Sequence, residues 1–187
     1  MIHPRAQKAI DVMRAGGDMV PPDLFRHLEM VYEASSILSK AFDLKYPGLI
    51  DPETVMIGAS VHDLGKAIFT EELFAPGRDH VDEGPSILVK AGLEEQYCRF
   101  AKTHQDWKGT ALEDLLVALS DVIWKGKRND ELEDAICANV MVLKGLKDKW
   151  SVWSWLDHLI IKIAKHADDR IVYQRYGKRS EELMLVR

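Results

Sequence analysis

Six histidine and aspartate side chains in this sequence stand where a helical core would not be expected to hold them. His62 and Asp63 are adjacent in GASVHDLGKAIF, residues 58–69, and are followed at once by Gly65 and Lys66. His27 falls between Leu24 and Val31 on an apolar helical stripe, and His80 precedes Gly84 and Pro85 in HVDEGPSILVKAGL. His104 closes a segment in AKTHQDW, and Asp121 borders the apolar face of Val117, Ala118 and Trp124. A single inward histidine is usually a hydrogen-bonded core residue, and a single boundary aspartate is usually a cap or an ion-pair partner. Taken together they need another account. A buried carboxylate is costly unless a cation or metal accompanies it, and imidazole with carboxylate is a donor set for a borderline divalent ion.

The elements that must position these groups read as helices. Asp23 opens a stretch with Leu24, Leu28, Val31, Ser35, Leu38 and Phe42 at three- and four-residue intervals. Pro47-Gly48 breaks it, and Asp51-Pro52 starts a second helix as cap and first-turn proline, running through Val55, Met56, Ala59 and His62 to Gly65. After Pro76-Gly77 come short helices around Ser86–Lys90 and Leu93–Thr103, then an amphipathic one over Ala111–Lys125. Asp130–Lys147 and one long final helix from about Ser151 complete the chain, while His3 reads as terminal and disordered. No alternating strand pattern and no repeat is present. The expectation is an all-α fold, a single helical domain over 1–187 with the site-bearing region at about 20–128 and helices over 130–187 packed against it.

Composition sets the class. The 187 residues are 47% hydrophobic and 29% charged, with a formal net charge of −5. That is ordinary for a folded soluble protein and gives no general attraction to nucleic acid or to an anionic membrane. Cys98 and Cys137 lie in helix-like sequence with no spacing for a disulfide scaffold or a thiolate zinc site, which suggests reduced core residues and a cytoplasmic protein. The first residues lack the apolar core of a signal peptide, and no apolar run approaches membrane-spanning length.

The order His27, His62-Asp63, Asp121, centred on HDLGK at residues 62–66, resembles the HD-domain superfamily of metal-dependent phosphohydrolases. The resemblance implies an all-α fold and one ion held by His27, His62, Asp63 and Asp121. His80 with Gly84-Pro85, and then His104, look like the branch of that superfamily with two metals; Asp63 would then bridge the ions and His80 and His104 would hold the second. The bacterial diadenosine-tetraphosphate hydrolases of the HD type are similar in arrangement and length. They continue after the last aspartate with an acidic-Pro-x-Arg stretch, whereas this chain reads Val-Ile-Trp-Lys-Gly-Lys-Arg.

What the resemblance implies is hydrolysis of a phosphoester or phosphoanhydride, in a nucleotide or another small phosphorylated substrate, by metal-activated water. Asp63 and Lys66 would be the catalytic residues, with the Lys66 ammonium on a non-bridging oxygen; the plainer reading of Lys66 is a solvated cation at a helix end. Lys125, Lys127 and Arg128 could bind more distant phosphates or form a solvated surface cluster. Trp107 and Trp124 read as core packing, and His158, His166 and Asp169 as surface or boundary residues. Fe, Mn, Zn, Co, Ni and Mg are all compatible, with the histidine content leaning toward a transition metal. Two rivals are a metal-stabilised nucleotide-binding or sensor domain without turnover and a purely structural helical domain, for which the six residues would scatter in space.

Overall fold

The computed structural model describes residues 1–178 of the chain. Among them there is no strand, and the fold is all-α, as the periodicity implies. Helix α1 spans Pro4–Ala15, α2 Pro22–Lys45 and α3 Pro52–Val61. Two 3-10 turns follow at Leu64–Ala67 and Thr70–Leu73, and then four short helices: α4 Asp79–Asp82, α5 Gly84–Lys90, α6 Glu95–Cys98 and α7 Phe100–Thr103. The chain ends in α8 Leu112–Ile123, α9 Asp130–Lys144, α10 Lys149–Ala164 and α11 Ala167–Tyr176.

Helices α2, α3 and α8 pack on one another and form the centre; α9 and α10 lean on α8, α11 lies on α2, and α1 on α3. The stripe of α2 is buried at Leu24, Leu28, Val31, Leu38 and Phe42, and meets Val55, Ala59, Leu115, Leu119 and Ile123 in one apolar core. Each of these leucine, valine, isoleucine and phenylalanine side chains, fully buried, contributes about 1.5–3 kcal/mol. Asp51 caps α3 as expected, its Oδ1 accepting the Glu53 N–H at 3.1 Å with Pro52 in the first turn. Asn129 does the same for α9, accepting the Leu132 N–H at 3.2 Å, and Gly145 ends that helix at φ 62°.

The short helices approach the centre through glycines. A Cβ on Gly58 would stand 2.7 Å from the Phe100 ring, one on Gly65 2.7 Å from the His80 carbonyl oxygen, and one on Gly84 2.7 Å from the Ala101 Cβ. Those distances are below any normal carbon contact, so the segment carrying His80 and His104 can come this close only where α3, the first 3-10 turn and α5 lack side chains.

Five expectations need correcting. Helix α2 begins at Pro22, so Asp23 lies in its first turn and does not cap it, and α3 ends at Val61 rather than near Gly65. His3 is ordered: its ring Nδ1 accepts the Arg5 N–H at 3.3 Å and its own N–H donates to Ser60 Oγ at 3.0 Å, opening α1. Ala6, Ala9, Ile10 and Met13 bury one face of that helix. The stretch 93–103 is two short helices, with Arg99 between them. The long final helix is also two, broken at Lys165-His166. The buried Arg170 accounts for that break, since its Nη1 donates back to the Ile163 carbonyl at 2.6 Å while its Nε reaches Glu33 on α2 at 3.1 Å. The expectation of helix beyond residue 178 lies outside the described residues. No helix among them is long and apolar enough to cross a membrane, and both cysteines are free and buried.

Candidate metal centre

Adjacent residues in a continuous helix point about 100° apart, so a neighbouring His-Asp pair cannot share a target while the helix lasts. Here α3 stops. His62 is its C-cap, and Asp63 takes φ −107° and ψ 6° at the entry to the first 3-10 turn, which brings both side chains to one centre. Helix α2 supplies His27, α8 supplies Asp121, α4 carries His80 and His104 caps α7.

The six side chains that the sequence singles out meet around the Asp63 carboxylate, and its two oxygens face different partners. Oδ2 lies 3.1 Å from His27 Nε2 and 3.6 Å from His62 Nε2. Oδ1 lies 3.4 Å from His80 Nε2 and 3.3 Å from His104 Nε2. Asp121 Oδ1 joins the first set, 3.4 Å from His27 Nε2 and 3.9 Å from His62 Nε2. Two groups of metal-compatible donors result, His27, His62 and Asp63 on one side and Asp63, His80 and His104 on the other.

The tautomers follow from the other ring nitrogens. His62 Nδ1 donates to the Ala59 carbonyl at 3.0 Å and His104 Nδ1 to the Phe100 carbonyl at 3.1 Å, because a carbonyl can only accept. His80 Nδ1 donates to Glu72 Oε2. Each of these imidazoles, when neutral, therefore turns a bare Nε2 lone pair toward Asp63. His62 Nε2 also sits 3.2 Å from His27 Nε2. Bare lone pairs crowded against carboxylates repel one another unless cations lie between them. Asp63 Oδ1 is buried, without a hydrogen bond of acceptable geometry among the described residues. The donor set fits divalent ions bound by nitrogen and oxygen.

The electrostatics agree. Burial drives the His62 pKa down to about 3, with Asp63 pulling weakly the other way, so this ring is neutral at ordinary pH. Burial pushes Asp63 upward, but the surrounding His62, His104, His27 and His80 hold it well below the usual carboxylate range. Asp121 behaves alike, with His27, Lys125 and His62 outweighing burial. For His80 burial lowers the pKa, while the carboxylates of Asp63 and Glu72 together raise it further.

Lys66 does not continue a helix; it sits on the 3-10 turn with Nζ 2.7 Å from Asp63 Oδ2. It lines a cleft of about 120 Å³ together with Asp23, Leu24, His27, Asp63, Leu73 and Gln174. Lys125 reaches the same neighbourhood, 3.5 Å from Asp121 Oδ1. Lys127 is exposed. Arg128 is drawn elsewhere, its guanidinium held by Glu133 at 2.6 and 2.8 Å and by Asp157 at 2.8 Å. Trp124 sets its ring 5.5 Å from His27, edge on, and Trp107 is half-buried against the core. His158 is exposed, and His166 stands at the entry to α11.

Two residues of the site went unread in the sequence. Glu72, in the second 3-10 turn, accepts the backbone N–H groups of Asp79 at 2.9 Å and His80 at 3.0 Å as well as the His80 ring N–H. Gln174, on α11, also lines the cleft. An acidic residue eight positions before a candidate ligand is a faint signal for the first; the second has none.

The sequence model of the HD domain family matches residues 24–141. That span holds all six converging side chains together with Lys66, Glu72 and Lys125, and leaves α1, α10 and α11 outside it. No curated protein and no solved structure matches the chain.

Proposed function

The chain belongs to the HD-domain family, a superfamily of metal-dependent phosphohydrolases whose members bind divalent metals, and from that premise we propose that it hydrolyses a small phosphoester, a nucleotide or a similar phosphorylated metabolite, with two ions held about Asp63. One observation carries the reading: His62, His80 and His104 each have their Nδ1–H tied to an acceptor and their Nε2 turned to the same carboxylate. His27, His62, Asp63 and Asp121 would hold the first ion, and Asp63, His80 and His104 the second. The donor set favours a transition metal over magnesium.

Bound divalent ions supply Lewis acidity, polarising phosphoryl oxygens and making water a competent nucleophile near neutral pH. The chain's own residues supply position and charge. Asp63, held far below the usual carboxylate range, is a poor proton acceptor, and its part is to keep the two donor groups in register. Lys66, at the cleft floor beside Asp63, places an ammonium where a non-bridging phosphoryl oxygen would lie. In the overall reaction the phosphorus–oxygen bond to the leaving group breaks, the oxygen of water joins phosphorus, and the leaving oxygen takes a proton.

The test is a phosphate-release screen over nucleotides, dinucleoside polyphosphates and sugar phosphates, with each candidate metal added in turn. Intact protein should turn over at least one class. Asp63→Ala should lose that activity and most bound metal while its helical circular dichroism persists. Full activity in Asp63→Ala, or no release under any condition, overturns the reading.

A further inference from the structure

One residue lining the cleft with Lys66, Gln174 on α11, comes from outside the family-matched span. Helix α11 fully buries only Ala167 and Arg170, with Ile171 and Tyr173 partly buried against the core. Polar ties add to this, one to the Ile163 carbonyl on α10 and the others to α2. Arg170 Nε donates to Glu33 at 3.1 Å, and Tyr173 Oη donates to Glu29 Oε2 at 2.6 Å. Arg26 Nε donates to the Gln174 carbonyl at 2.7 Å and Arg26 Nη2 to that of Arg175 at 3.4 Å, capping the helix end. Since α2 also carries His27, these ties hold α11 in register with the metal centre. The outcome is the Gln174 side chain in the cleft with His27, Asp63 and Lys66. Its Nε2 lies 3.5 Å from the Asp23 carbonyl, at the limit of hydrogen bonding, so the amide N–H groups are lightly held.

Size narrows what can enter. At about 120 Å³ the cleft is open to solvent and smaller than the roughly 300 Å³ or more of a pocket that encloses a drug-sized ligand. It has room for a phosphoryl group and does not enclose a nucleoside. We propose that Gln174 is a substrate-binding residue and that α11 restricts the cleft to a terminal phosphoryl group, which makes phosphomonoesters the substrate class. A monoester needs room on one side only and leaves its organic part in solvent, whereas a diester carries a second substituent toward Gln174 and α11. The Gln174 amide donates to a non-bridging oxygen alongside the Lys66 ammonium. This inference rests on the phosphohydrolase reading above.

The experiment titrates inorganic phosphate calorimetrically into the metal-loaded full chain, into Gln174→Ala and into Gln174→Glu, beside kcat and KM for p-nitrophenyl phosphate and bis(p-nitrophenyl) phosphate. Phosphate affinity should fall about tenfold in Gln174→Ala. It should fall further in Gln174→Glu, which keeps the shape but turns a carboxylate toward the anion. Metal content should stay constant, KM for the monoester should rise with kcat nearly unchanged, and the preference for monoester over diester should narrow. Equal phosphate affinity in the three proteins overturns the proposal, and so does an intact protein that prefers the diester. Phosphate binding that depends on Gln174 in a protein that releases phosphate from neither ester nor from any substrate of the screen above would support the binding role and overturn the phosphohydrolase reading, so the two fail separately.

Discussion

The two oxygens of Asp63 look onto scaffolds of different kinds. On the Oδ2 side, His27 belongs to a helix of 24 residues and Asp121 to one of 12, both locked into the central apolar core. On the Oδ1 side, His80 rides on a four-residue helix and His104 caps another of the same length. Helices that short have no stability of their own. Their place depends on glycine contacts at Gly58, Gly65 and Gly84, on the Glu72 carboxylate and on the hydrogen bond from His104 to Phe100. The first half of the site is therefore carried by long core helices. The second half is carried by short segments whose Leu88, Phe100 and Ala101 are buried in that same core, so the two scaffolds differ in helix length rather than in burial.

The largest effect that separates the halves is expected from His80→Ala/His104→Ala. Intact protein loaded with Mn, Fe or Zn should hold about two ions per chain and this variant about one, with the fold retained and hydrolysis lower by orders of magnitude. Metal analysis beside circular dichroism decides it. An intact protein that never exceeds one ion would end the two-ion reading and leave His80 and His104 as groups beside a single metal.

A smaller effect is expected from Glu72→Ala, which leaves every donor in place. Loss of a partner that orients a ligand costs about 10–100-fold in metal affinity, and here the loss should fall on the second ion only. Competition titration with a chelating dye should show one weakened step and one unchanged. Equal weakening of both steps would mean that the halves are one cooperative unit.

The third effect is read from pH in metal-free protein. His62 is held neutral to about pH 3 in the fold, whereas an unfolded histidine protonates near 6.5. The unfolded chain thus binds the extra proton between those values, and stability falls as pH drops from about 6.5 toward 3. The slope is about 1.4 kcal/mol per pH unit for this one group. Urea midpoints along that range should decline, and His62→Asn should flatten the decline. An unchanged slope would place the His62 ring in contact with water, outside the core that carries the first half.

The long-helix half was legible because its signals are local. A histidine on an apolar stripe, a His-Asp pair shortly before a glycine and an aspartate at the edge of an amphipathic face can each be read within a few residues. His80 and His104 stand out by residue type at segment ends, but their role as a second ligand pair rests on the resemblance, since four-residue helices span barely one turn and show no periodicity. Helix α1 was readable from Ala6, Ala9, Ile10 and Met13 but was passed over beside a chain terminus. The break at Lys165-His166 carries neither Gly nor Pro; it comes from Arg170 packing against α2, a contact across 137 positions. Arg128 shows the limit of reading a charge cluster: its basic neighbours admit either phosphate or a solvated surface, and the acidic partners that hold it lie on α9 and α10.

The Glu72 carboxylate has one more consequence. It joins residue 72 to residues 79 and 80, closing a short loop without a covalent bond. Closing a loop of that size costs chain entropy, and breaking a single anchoring group returns it, so this segment is the natural place for the molecule to open without unfolding. An ion that binds only the closed loop stabilises it by mass action. If a second ion binds there, occupancy of its subsite and order in residues 72–80 become two readings of one equilibrium.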